Sequence, residues 1–141
     1  MKFFLGITLP WLCLLVGCTP EPKEIRYNLD TCEFCQMVIT DPRYGTEILT
    51  EKGKAYKFDS FECLIDYSKE NTLEVHKHLV TSFDQPRKLI DGANCYVLQC
   101  EAMPSPMGRN LTVFQNESTA KEISETKGGK VLPLNQALTQ F

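Results

Sequence analysis

Residues 46–60 read TEILTEKGKAYKFDS. A β-branched, apolar run gives way to Glu-Lys-Gly-Lys and then to Ala-Tyr-Lys-Phe. Two such runs around a glycine predict a β-hairpin, with strands over 47–50 and 55–58 and a turn around Gly53. Asp59 or Ser60 then caps a helix running to about Glu70, in which Phe61, Leu64, Ile65 and Ser68 share one face at i, i+3, i+4 and i+7. Cys63 stands beside that face. Hairpin followed by helix is the unit from which the rest of the chain can be read.

Toward the C-terminus, VHKHLVTSF (75–83) predicts a strand that DQPRK breaks, and NCYVLQC (94–100) predicts another. EAMPSPMGRN, with two prolines and a glycine, is a loop. NLTVFQ is a strand, ESTAKEISETK a helix ended by Gly128-Gly129, KVLPL a short strand and NQALTQF a terminal helical turn or two. The two halves share the order loop, strand, helix, strand. The expected class is α+β: one compact domain of two related hairpin/helix units, with small antiparallel sheets carrying helices on one side. The repeat is one of outline, not of residue identity.

Toward the N-terminus, DPRYG is a turn and 38–41 a short β-branched run, preceded by CEFCQM (32–37). TPEPKE is Pro-rich and charged and reads as an extended linker. Before it, Lys2 and an apolar stretch over 3–16 end in LVGC, residues 15–18. A charged start, a short apolar core and small residues before a cleavage point describe an export signal. Cys18 directly after Leu-Val-Gly resembles a bacterial lipobox, so residues 1–17 are expected to be removed and Cys18 to carry lipid. The linker is then 18–26 and the domain 27–141. The expected location is a bacterial cell membrane, inner or outer, on the periplasmic side.

The formal net charge is −3, and the basic residues are scattered singly. That argues against nucleic acid as a partner and against a polybasic membrane patch. No serine, histidine and acid fall into a triad order, and Asp59, Asp66 and Asp91 show no pairing that demands acid–base work. Nothing in the sequence requires an enzyme.

The cysteines carry more information. Of seven, Cys13 lies in the signal and Cys18 in the lipobox, leaving Cys32, Cys35, Cys63, Cys95 and Cys100. An odd number of thiols in an exported chain leaves at least one unpaired, in a compartment that oxidises idle thiols. CEFCQM fits three chemistries. A redox dithiol calls for a helix start that lowers a thiol pKa, whereas a D-P turn follows here. A zinc knuckle needs a second ligand pair. Cys95 and Cys100 are five apart in an expected strand, some 17 Å at about 3.3 Å per residue, and His76 and His78 read as decoration of a solvated strand edge. The third chemistry is a soft-metal site. Met37 is two residues from Cys35, and Met103 and Met107 bracket PSP in a loop, all outside helical core spacing. Thiolate and thioether together select Cu(I).

CEFCQMVITD, GKAYKFDSFECLIDY, CYV, MPSPMGRNLTVF and GGKVLPL together resemble the NosL family, lipoproteins tied to copper delivery for nitrous oxide reductase. The resemblance implies a pair of related α+β units similar to the core of the mercury–carbon lyase MerB. It also implies Cu(I) as the ion. Cys35 and Met37 align with the family's C-x-M ligands and Met107 with the methionine of its later loop, while Gln36 stands where the family usually has glycine. Cys32 is expected as an auxiliary ligand or a redox partner of Cys35, Met103 as a further candidate ligand, and Cys63 either as a ligand or as a small buried side chain. The implied protein is a tethered metallochaperone. It would accept copper from an exporter or membrane assembly complex and pass it to an exported copper enzyme, with its lipid anchor as the membrane contact. A thiol–disulfide oxidoreductase on Cys32 and Cys35 and a structural zinc module remain the alternatives.

Overall fold

The computed structural model describes residues 19–141; residues 1–18, including the lipobox Cys18, lie outside the described part. The hairpin falls where its turn chemistry places it. Strand β1 (Thr46–Thr50) pairs antiparallel with β2 (Ala55–Phe58), Thr46 opposite Phe58 and Leu49 opposite Ala55, and Gly53 takes φ +76° in the turn. Ser60 caps helix α1 (Phe61–Glu70), its hydroxyl accepting the backbone N–H of Cys63. Strand β3 (Val75–Thr81) then returns antiparallel to β1, and a short β4 (Leu89–Asp91) pairs with β3.

The second half repeats the first. Strands β5 (Tyr96–Gln99) and β6 (Leu111–Phe114) form a hairpin. Helix α2 (Glu117–Lys127) follows, and β7 (Lys130–Pro133) returns antiparallel to β5. The strand orders are β2-β1-β3-β4 and β6-β5-β7. In each unit the first strand is central, with its hairpin partner on one side and the strand after the helix on the other. The duplication read in outline is therefore a shared topology; β4 and the C-terminal helix α3 (Leu134–Gln140) are the additions.

Alternation along the second sheet joins the units. Val97, Leu111 and Val113 enter a core shared with Ile39, Ile48, Phe58, Phe61, Leu64 and Val80 of the first half. Leu98 and Phe114 point the other way, into a smaller core with Cys100, Met103 and Ala120 of α2. Strand β1 is buried along its whole length, so its polar side chains need internal partners. Thr46 Oγ1 donates to Ser60 O (3.1 Å) and Thr50 Oγ1 to Lys54 O (3.1 Å), while the Glu47 carboxylate accepts the Lys23 N–H at 3.1 and 3.3 Å.

Two expectations change. Packing begins at Lys23, four residues before Tyr27: Lys57 Nζ donates to Glu24 O (2.6 Å), and Ile25 is buried in the main core. Only Thr19 to Pro22 remain as linker, because Ile25 supplies an apolar anchor and Glu47 a buried acceptor. His76 and His78 lie on the stretch of β3 that β4 does not pair, yet both are partly buried and not simply solvated. His78 is half-buried, and its burial pushes the imidazole below the usual histidine range, opposed by the charge of Asp91.

Candidate metal centre

The CEFCQM segment is a tight loop. Thr31 and Val38 form an isolated antiparallel bridge. Inside it the Cys32 N–H donates to Met37 O (2.8 Å) and the Gln36 N–H to Cys32 O (3.1 Å); the Ile39 N–H closes the base onto Asp30 O (2.9 Å). Closing so short a loop puts Gln36 at φ +63°, the left-handed region that costs a side-chain-bearing residue about 1–2 kcal/mol. Its amide donates to Glu33 O (2.9 Å) and fastens the turn. Glycine would take this conformation freely; Gln36 meets the same backbone requirement with a side chain in place.

Two ties hold the loop against β2. The Glu33 N–H donates to Lys57 O (2.9 Å). The buried Asp30 carboxylate receives Lys57 Nζ (2.6 Å) and Arg26 through its backbone N–H (2.9 Å), Nε (2.9 Å) and Nη2 (2.7 Å). Strand β2 runs on into Asp59 and the first turn of α1, so the loop lies across the start of the helix. Cys32, Cys35, Asp59 and Cys63 meet there, their ligand atoms all within 4.8 Å of one another. Among the described residues no other group of three or more His, Cys, Asp or Glu converges in this way.

The four side chains are not equivalent. Cys32 and Cys63 have no solvent exposure and Asp59 almost none, while Cys35 is partly open. The Cys63 side chain and the backbone of Cys35, Asp59 and Phe34 lie against the Cys32 sulfur and, against the cost of burial, draw its thiol down to about 6. Cys63 is pushed up, first by the neighbouring Cys32 and then by burial and by Asp59. Burial, followed by the Cys32 sulfur and the Asp59 charge, also pushes Cys35 up, while the Met37 N–H on its sulfur acts in the opposite direction. The Cys35 thiol donates to Asp59 Oδ2 at 3.6 Å, and Asp59 Oδ1 is buried with no partner. One of the three thiols, Cys32, is shifted toward ionisation, the other two stand against it, and a buried carboxylate oxygen has a free acceptor site. That donor set suits a thiophilic metal ion.

The methionines divide. Met37, half-exposed, stands on the rim next to Cys35, and Met107 is 37% exposed. The loop of Met107 is fastened to the start of α1: Ser105 Oγ donates to Glu62, the residue before Cys63, and accepts the Asn110 N–H (2.9 Å), while Tyr44 donates to Pro104 O (3.1 Å). Met103 is buried in the smaller core beside Cys100 and Phe114, apart from the core that holds Cys32 and Cys63. Cys95 and Cys100 flank β5, their thiols donating to Asp91 O and Lys127 O (both 3.5 Å). The structure therefore gathers Cys32, Cys35 and Cys63, keeps Met37 and Met107 exposed on loops tied to the same helix start, and packs Met103 elsewhere. Asp59 was not among the residues expected from sequence. Its signal was its place just before the helix cap, one turn ahead of Cys63.

Fold and site together define a duplicated α+β domain with a sulfur-rich candidate metal centre at one end. The NosL family model matches residues 24–140. The copper-binding lipoprotein NosL of Stutzerimonas stutzeri is 30% identical over 146 residues, covering 89% of this chain and 76% of that protein. The crystal structure of the copper chaperone NosL from Shewanella denitrificans shares the fold, with a TM-score of 0.73 at 20% identity over 84% of this chain and 96% of that one. The chain belongs to the NosL family.

Proposed function

We propose that this protein is a lipid-anchored copper chaperone. It carries Cu(I) on sulfur and hands the ion to an exported copper enzyme, nitrous oxide reductase being the acceptor the family resemblance implies. The observation that carries the reading is the convergence of Cys32, Cys35, Cys63 and Asp59 directly behind the exposed Met37. A single thiolate neutralises a monovalent ion, and neutral thioethers complete a low-coordinate shell without charge repulsion. Cys35, the only partly open thiol of the group, is the entry ligand, Met37 stands two residues from it, and Met107 joins from the loop that Ser105 ties to Glu62. Cys32 and Cys63 form the inner wall. The donor is an exporter or membrane assembly complex, and transfer is ligand exchange between sulfurs.

A second reading has support from one observation: three thiols and a carboxylate make up the four-ligand count of a structural zinc site. Anaerobic titration of the domain from Thr19 with Cu(I) against a chromogenic chelator, repeated with Zn(II), separates the two. Tight Cu(I) binding weakened in Cys35→Ser and Met37→Leu supports the chaperone. Tight Zn(II) binding that the methionine substitution leaves unchanged, with unfolding on chelation, supports zinc.

A further inference from the structure

The path of the chain just after Cys18 determines which end of the molecule can meet a membrane. Thr19, Pro20, Glu21 and Lys23 line a groove against Glu51, Lys52 and Gly53, the tip of the β1–β2 hairpin. At Lys23 the backbone is bonded to the Glu47 carboxylate, and at Ile25 it enters the core. The segment thus runs from the hairpin tip, where Thr19 lies, along β1 toward Glu47. The metal centre lies at the other end of the same hairpin. Glu47 sits opposite Lys57, and β2 continues through Phe58 to Asp59. From Gly53 to Asp59 the strand covers about 20 Å at about 3.3 Å per residue.

The free leash is short. Residues 19–22 reach at most about 14 Å when fully extended, and Pro20 and Pro22 hold fixed φ angles that keep it extended. A domain of this size is about 35 Å across. A lipid on Cys18 could not let such a body turn over and bring Asp59 to the bilayer.

We propose that the anchor holds the domain on the membrane by its β1–β2 hairpin end, with the metal centre turned away, so that the copper partner reaches it from the aqueous side. The proposal rests on the lipid-anchored chaperone reading. The two ends of the molecule differ as it requires. The hairpin end carries Lys23, Lys52 and Lys54 among Glu21, Glu51 and Glu74, with Lys52 and Glu74 paired at 3.2 Å, a mixed-charge surface suited to hydrated headgroups. The large apolar side chains left exposed among the described residues are Leu29, Met37, Val38 and Met107. Met37 and Val38 belong to the loop that carries Cys32 and Cys35, Leu29 to the turn just before it, and Met107 to the loop that Ser105 ties to Glu62 at the start of α1. Apolar side chains turned to water around a transfer site fit a protein partner.

The test uses the full acylated protein in vesicles of phosphatidylethanolamine and phosphatidylglycerol carrying dansyl-phosphatidylethanolamine. Trp11, the sole tryptophan of the chain, leaves with residues 1–17 when Cys18 is acylated, so Lys52→Trp or Val38→Trp each introduces a single donor. Energy transfer to the headgroups several-fold stronger from position 52 than from position 38 is the expected result. Equal transfer from both, or stronger transfer from position 38, would overturn the orientation while leaving the anchor in place. Protein that fails to float with the vesicles would overturn the anchor and the orientation together. Val38→Trp sits near the site, so Cu(I) binding by each variant is measured alongside.

Discussion

Asp30→Asn should loosen the metal loop by a calculable amount. Burial pushes the Asp30 carboxyl up, but the Lys57 ammonium and the Arg26 backbone and guanidinium more than offset it, bringing the group from the ordinary 3.8 to about 2. That gap is worth about 2.5 kcal/mol at neutral pH, at 1.36 kcal/mol per pKa unit. The Asp30 side chain is only 8% exposed and Lys57 18%, so solvent screens the contact little. A group depressed by folding stabilises the native state above its unfolded pKa and loses that contribution as pH falls through its folded value. The Asp30 contribution should be complete above about pH 5, fall to about half at pH 3 and nearly vanish at pH 2. Urea denaturation followed by circular dichroism, wild type against Asp30→Asn, measures it. A difference of about 2–3 kcal/mol at pH 7 that closes toward pH 2 is expected. A difference below about 0.5 kcal/mol at pH 7, the ordinary range for a surface substitution, or one that persists unchanged into acid, would refute the reasoning.

The other predictions concern access and packing. Under native reducing conditions a bulky maleimide should modify one thiol of the soluble domain quickly, Cys35, and reach Cys32, Cys63, Cys95 and Cys100 only after denaturation, as mass spectrometry would read directly. Met37→Leu and Met107→Leu should weaken Cu(I) binding at least tenfold with little change in stability, because both side chains are exposed. Met103→Leu should leave copper affinity intact and cost less than about 1.5 kcal/mol, a volume-conserving change in the smaller core. Gly129→Ala should destabilise the fold by more than about 2 kcal/mol in the same urea assay. Gly129 holds φ +104°, and an added Cβ would press on Gln99 O and Cys100.

How far the sequence could be read follows from the range of the interactions involved. The β1–β2 hairpin, the Ser60 cap and the α2 stop at Gly128 rest on chemistry within a few residues, and each was legible. Strand β4 has only three residues and exists through its pairing with β3, which no local pattern announces. Ile25 is a single apolar residue in a charged stretch; only the core it enters distinguishes it from linker. At the site, the spacing of Cys32 and Cys35 marked them at once. Cys63 and Asp59 join them because the loop folds across the start of α1, a contact made by Lys57 O and the Asp30 ion pairs. Met103 and Met107 look alike in MPSPM, yet one fills a core and the other reaches solvent. The loop conformation that separates them is set by Ser105 on Glu62.

The central claim is that copper sits on sulfur at the meeting point of the two loops. X-ray absorption at the copper K-edge, on anaerobically loaded protein, reads both the oxidation state and the donor atoms. The account predicts Cu(I) in a low-coordinate shell of sulfur alone, with loss of scattering from one sulfur in Met37→Leu and in Met107→Leu. A shell dominated by nitrogen or oxygen, or a sulfur shell identical in wild type and both variants, would contradict it.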